Sequence, residues 1–173
     1  MTSVGAPDFA SSGRRELATA EATREFGAQL GAILRAGDVV ILSGALGAGK
    51  TTLTQGLAKG MDVRGRVTSP TFTIARVHRA RESAQPDLVH VDAYRLLGDT
   101  AAPEHAPADP WGELDALDLD TDLETSVVVA EWGAGLVEAL TQRYLLVELD
   151  RESAVAADPD SHARIVTWAW VEN

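Results

Sequence analysis

The sequence predicts an α/β fold in three layers, its sheet mostly parallel at the centre and antiparallel at the C-terminal edge. Three observations predict it. Short apolar runs at residues 39–42, 88–91 (interrupted by His90) and 127–130 have the make-up of strands buried on both faces. The segments between them carry helical spacing or Gly- and Pro-rich loops, so that strands and helices interleave. The tail alternates instead, over residues 144–149 and 164–171, as strands with one covered face do. In such folds ligands sit at the carboxyl ends of the central strands.

At 173 residues the chain has the size of one domain, and 45% hydrophobic against 24% charged residues is ordinary for a globular one. Residues 1–13, polar and Gly/Pro-bearing, read as a flexible N-terminus, and residues 14–173 as a single domain. Phe26, Leu30, Ile33 and Leu34 recur at helical spacing within residues 24–34, and Gly37 stops that helix ahead of the first strand. The strand enters a glycine-rich turn, after which residues 51–59 read as a helix ending near Gly60. Ser69-Pro70 then breaks the chain before a β-branched, aromatic segment running to His78. Residues 98–112, rich in Pro, Ala and Gly, read as a surface loop, and Leu114, Leu117 and Leu119 mark a short acidic helix. A further helix is expected over residues 136–140. The alternating runs of the tail, with Val166, Trp168 and Trp170 on one face, are expected to form an edge hairpin.

The absence of cysteine excludes a disulfide framework, a thiolate metal site and a cysteine nucleophile. No apolar run reaches the length of a secretion-signal core or a membrane span, so a cytoplasmic protein without membrane contact is expected. A net charge of −11 opposes direct binding to the phosphate backbone of DNA or tRNA. The charge is uneven: Arg64, Arg66, Arg76, Arg79 and Arg81 cluster, whereas residues 96–142 contain neither Lys nor Arg. Two electrically distinct faces are expected.

Gly44-Ala45-Leu46-Gly47-Ala48-Gly49-Lys50-Thr51 fits G-x-x-x-x-G-K-[ST] in full and lies between a buried strand and a helix start. Its glycines let the backbone wrap a phosphate, and the helix start adds its positive dipole end. Gly47, Ala48 and Gly49 supply inward amides. Lys50 is placed to span β- and γ-phosphates, Thr51 to coordinate Mg2+, and Thr52 to meet the α-phosphate side. Ordinary residue frequencies would produce such a match by chance in about one chain in several hundred. The 15 Lys and Arg residues include just two lysines, Lys50 and Lys59, which makes coincidence at this position rarer still. The spacing G-x-x-G-x-G excludes the dinucleotide fingerprint. The fold expected is therefore a P-loop NTPase-type sheet, and the absence of a guanine-reading Asn-Lys-x-Asp segment favours ATP.

Hydrolysis needs carboxylates for the metal and the attacking water. Asp92 and Glu131 each close an apolar strand, and in a parallel sheet both face the crevice above the phosphate loop. Asp118, Asp120, Asp122 and Glu124 fail as a calcium loop, because Leu123 and Val129 stand where a glycine and a glutamate are needed. His90 reads as a packing residue of its strand. Trp132, next to Glu131, is the tryptophan placed to serve a site or an interface.

In these blocks the sequence resembles the TsaE (YjeE) family, P-loop ATPases of bacterial tRNA threonylcarbamoyladenosine biosynthesis. The blocks are Gly44 to Thr52, Ser69-Pro70-Thr71-Phe72-Thr73, His90-Val91-Asp92-Ala93-Tyr94-Arg95-Leu96 and Glu131-Trp132, in that order, within residues 16–150. The resemblance implies a small Mg2+-dependent ATPase that joins TsaD and TsaB and meets tRNA only indirectly, through modification of adenosine 37. It also implies that Lys50 and Thr51 bind phosphate and metal, that Glu131 joins the metal shell and that Asp92 assists hydrolysis. Ser69 to Thr73 would form a nucleotide-sensing switch with Thr71 as its polar sensor, and adenine contacts would fall around Thr19 to Thr23. The stretch from Gly98 to Gly112 and the 153–161 loop depart from the family pattern.

The residues leave two other readings open. One is a small-molecule or nucleoside kinase, against which stands the want of an arginine lid after Leu96. The other is a nucleotide-gated binding module with negligible turnover.

Overall fold

The computed structural model describes residues 5–45, 47–68, 75–92, 124–131 and 141–173, Asp92 through its backbone alone. The expected loop over 98–112, the helices near 114–119 and 136–140, Thr71 with the rest of 69–74, and Trp132 lie outside the described residues.

In chain order the described elements are β1 (Gly13–Leu17), α1 (Ala20–Ile33), β2 (Val39–Ser43), α2 (Lys50–Met61), β3 (Ala75–His78), β4 (Asp87–Asp92), β5 (Ser126–Glu131), β6 (Arg143–Asp150), α3 (Glu152–Ala157) and β7 (Arg164–Glu172). The strands form one seven-stranded sheet in the order β1-β7-β6-β2-β5-β4-β3. β6, β2, β5 and β4 run parallel, while β3 lies antiparallel to β4, and β7 to both β6 and β1.

The mostly parallel centre is as the apolar runs predict, and Val39, Ile41, Val89, Val91, Val128 and Ala130 are buried as fully as Val40, Leu42, Val127 and Val129. The tail differs in one respect. β6 and β7 do pair antiparallel, yet neither is the outer edge: β6 also pairs with β2, and β1 covers the far side of β7. Residues 8–11, ahead of β1, are tied down rather than loose. Phe9 is buried against Phe26 and Trp168, with ring centroids 5.3 and 5.7 Å away. The Trp168 indole donates to the Ser11 carbonyl and the Trp170 indole to the Phe9 carbonyl, each at 2.8 Å. One aromatic ring in a polar stretch has no period, so local pattern could not reveal it.

One face of the sheet carries α1 and α2, with Phe26, Leu30, Leu53 and Leu57 in a common core with Val40, Leu42, Leu145 and Val147. The two helices touch backbone to backbone. A Cβ on Gly27 or Gly31 would run into the backbone of Leu53 or Leu57, and one on Gly56 or Gly60 into that of Arg24 or Ala28. This contact seats α2, and with it the turn from which α2 starts.

Candidate functional site

β2 ends at Ser43, and the chain turns through Gly44 and on to α2 at Lys50. Gly47 and Gly49 sit at φ 80 and 106, left-handed conformations that side chains disfavour, and this lets the turn close tightly. Lys50 is buried at 6% exposure, and its Nζ donates to the carbonyls of Gly44 at 2.6 Å and Ala45 at 3.1 Å. The loop thus wraps its own ammonium, a group costly to bury without acceptors, and phosphate oxygens can take the place of those carbonyls. Thr51 and Thr52 follow in the first turn of α2, half-exposed, at the positive end of the helix dipole.

Sheet register brings the acids alongside. Glu131 pairs with Leu42 of β2, and Asp92 pairs with Glu131, so both stand at the carboxyl ends of their strands, Glu131 next to β2 and Asp92 one strand farther out. Glu131 is buried, and its Oε1 lies 3.1 Å from Nε2 of His90, itself fully buried. A carboxylate only accepts, so the proton of this contact belongs to Nε2. The sequence reads His90 as a packing residue of its strand, which its burial bears out, but not as the partner of Glu131. Its partner is 41 positions away and appears only once β4 is laid beside β5. The available signal was its place two residues before Asp92, level with the strand below both acids.

Among the described residues, His90 Nδ1 and His78 Nε2 are buried without a hydrogen-bond partner. His78 donates through Nδ1 to the Arg64 carbonyl at 3.2 Å. Burial holds its pKa below the ordinary histidine value, against the opposing pull of that carbonyl.

The other flank of the loop belongs to α1, β6 and β7. Thr19 caps α1, its hydroxyl accepting from the Ala22 amide at 3.1 Å, and Thr23 is buried one turn on. The Thr23 methyl comes within 3.9 Å of where a Cβ on Gly49 would stand. Two arginines absent from the sequence-based site also arrive here. Arg164 donates through Nε to the Ala48 carbonyl at 2.9 Å, and Arg151 follows β6 directly, beside Gly47. No local motif announces either. A cavity of about 420 Å³ adjoins this flank, bordered by Ser43, Gly44, Arg14 and Arg151.

The arginine cluster lies at the far edge of the sheet. Arg79 pairs with Asp87 at 2.8 Å, Arg81 with Asp62 at 3.2 Å, and Arg76 donates to Thr68 at 3.1 Å. No helix among the described residues is long and apolar enough to cross a membrane.

Comparison with known proteins identifies the family and agrees with the fold. The family model for "Threonylcarbamoyl adenosine biosynthesis protein TsaE" matches residues 17–158. A tRNA threonylcarbamoyladenosine biosynthesis protein TsaE of Mycobacterium bovis is 54% identical over 158 residues, covering 91% of this chain and 87% of its own. The protein of the same name from Streptomyces coelicolor is 51% identical over 142 residues, covering 82% and 88%. Among solved structures, Bacillus subtilis YdiB superposes with a TM-score of 0.63 at 25% identity, over 94% of this chain and 87% of that one.

Proposed function

This chain belongs to the TsaE family, which serves tRNA threonylcarbamoyladenosine biosynthesis, and from that premise we propose that it binds ATP with Mg2+ and hydrolyses it. The observation that carries the reading is the buried Lys50 ammonium, ringed by loop carbonyls, with the buried Glu131 carboxylate in register with Leu42 on the strand alongside. One group is made to meet phosphate and the other a cation.

In this reading the amides of Gly47, Ala48 and Gly49 take the phosphate chain, and Lys50 spans its β- and γ-groups. The Thr51 hydroxyl and the carboxylates of Glu131 and Asp92 are oxygen donors of the hard kind that Mg2+ accepts beside phosphate oxygens and water. Held by these residues, such an ion would supply positive charge against the terminal phosphate of the nucleotide. Asp92, beside Glu131 in the sheet, orients the attacking water, Thr71 senses the γ-phosphate, and Thr19 and Thr23 border the adenosine. The protein works with TsaD and TsaB in the cytoplasm and reaches tRNA through them.

Phosphate release by the purified protein, alone and with TsaB and TsaD, tests the proposal. Lys50→Ala, Asp92→Ala and Glu131→Ala should each lower the rate by at least about a hundred-fold, the usual scale for a lost electrostatic or acid-base group. Equal rates in all variants would undo the assignment. Nucleotide-dependent partner capture without turnover would favour a binding switch instead.

A further inference from the structure

Two guanidinium groups stand at the phosphate loop on the side away from Glu131. Arg164 is pinned to the loop backbone, donating through Nε to the Ala48 carbonyl at 2.9 Å and through Nη2 to the Gly47 carbonyl at 3.4 Å. Nη1 of Arg151 lies 3.4 Å from the point a Cβ on Gly47 would occupy. The two are close enough that Arg151, after burial, helps hold the Arg164 pKa below its ordinary value.

Like charges brought together disfavour each other's charged form, and an opposite charge nearby relieves this. Among the described residues no carboxylate pairs with Arg151: Asp150 accepts from the amide and hydroxyl of Ser153, Glu148 from the Thr167 hydroxyl, and Glu152 lines the same cavity without an ion pair to it. Among the described residues the Arg151 guanidinium has no hydrogen bond or ion pair, the residue's one contact of that kind being its backbone carbonyl, which accepts from the Val155 amide at 3.0 Å. A group so placed is relieved by a ligand offering negative charge or a π face.

The direction of a bound nucleotide identifies that ligand. Lys50 and Thr51 draw the terminal phosphates toward β5 and β4, where Glu131 lies, so the nucleoside must leave across the opposite side of β2. That side is occupied by β6, β7 and the start of α1. There the Thr23 methyl and Arg164 Nε each come within 3.9 Å of the Gly49 Cβ position, a floor for whatever rests above.

We propose that Arg151 is a nucleoside-binding residue, its planar guanidinium lying against the base and ribose of the bound nucleotide while Arg164 stiffens the loop beneath. A flat cation suits the face of a purine ring, which a lysine ammonium would meet as a point charge. The proposal rests on the ATP-binding reading given above, and the test keeps the two apart.

ATP, ADP and inorganic tripolyphosphate, each with magnesium, are titrated by calorimetry into the wild-type, Arg151→Ala and Lys50→Ala proteins. Arg151 is exposed, so its replacement should leave the melting temperature where it was. Arg151→Ala should weaken ATP and ADP by about ten-fold and leave tripolyphosphate unchanged. Equal weakening of tripolyphosphate would put the guanidinium on the phosphates, and unchanged ATP affinity would give it no place at the site. Either result overturns the proposal. Lys50→Ala should weaken all three ligands; if it binds them as well as the wild type does, the phosphate-loop reading fails, and the nucleoside role of Arg151 fails with it.

Discussion

Within β4, His90 meets no solvent and donates through Nε2 to the Glu131 carboxylate. A metal-ligating carboxylate is commonly held by such an outer partner, which fixes its orientation. Removing the imidazole leaves a buried acceptor unsatisfied as well as a cavity. His90→Ala should therefore cost about 2 kcal/mol of stability and raise the magnesium needed for half-maximal phosphate release about ten-fold. His90→Gln keeps a donor and should recover most of the magnesium response. If both variants melt early yet need no more magnesium than the wild type, the contact only holds the fold. Glu131 was legible as a strand-end acid because its apolar run is contiguous in sequence. His90 was not, because a histidine inside a strand shows its role only through its neighbour.

At the scale of elements, the seating of α2 on α1 decides where the phosphate loop stands. The Gly27 and Gly31 pair faces the backbone of α2, and the Gly56 and Gly60 pair that of α1. An alanine in a helix ordinarily gains about 0.5–1 kcal/mol over glycine. Here the sign should reverse: Gly56→Ala forces a methyl into the Arg24 carbonyl and should cost about 1–3 kcal/mol in a urea melt. Gly5→Ala, with open space around it, serves as the neutral control. A Gly56→Ala protein as stable as the wild type would mean the helices can part without cost. Period predicted both helices, but α1 begins earlier than its apolar spacing suggested because Thr19 caps it, and α2 runs on to Met61, with Asp62 closing its end at φ 56. Caps are single residues and leave little trace in a periodic pattern.

For the whole molecule, the charge is divided. Lys59, Arg64, Arg66, Arg76, Arg79 and Arg81 gather around the β3 edge of a chain whose net charge is −11. Complementary charge governs encounter and orientation more than final affinity, and salt screens it. If TsaD and TsaB are its partners, as proposed above, the double variant Arg76→Glu, Arg79→Glu should weaken their capture roughly ten-fold at low salt, with the difference shrinking as salt rises. Binding unaltered by charge reversal would assign the partners to another face. The segment of arginines was visible in the sequence. That it lies at the opposite edge from β1, two strands beyond the Glu131 strand, is a property of the sheet order alone.

The sequence by itself determined the phosphate loop, the buried central strands, the acids at their ends and the family, since each is written in neighbouring residues or in a short period. The tertiary structure alone decided which strand forms the edge, which side of β2 holds the acids and which the arginines, and what His90 touches. The physical reason is distance along the chain: Arg164 meets Gly47 across 117 positions and His90 meets Glu131 across 41. Such contacts exist because the chain gains more by closing its sheet and core than it loses in loop entropy, and no local pattern records that balance.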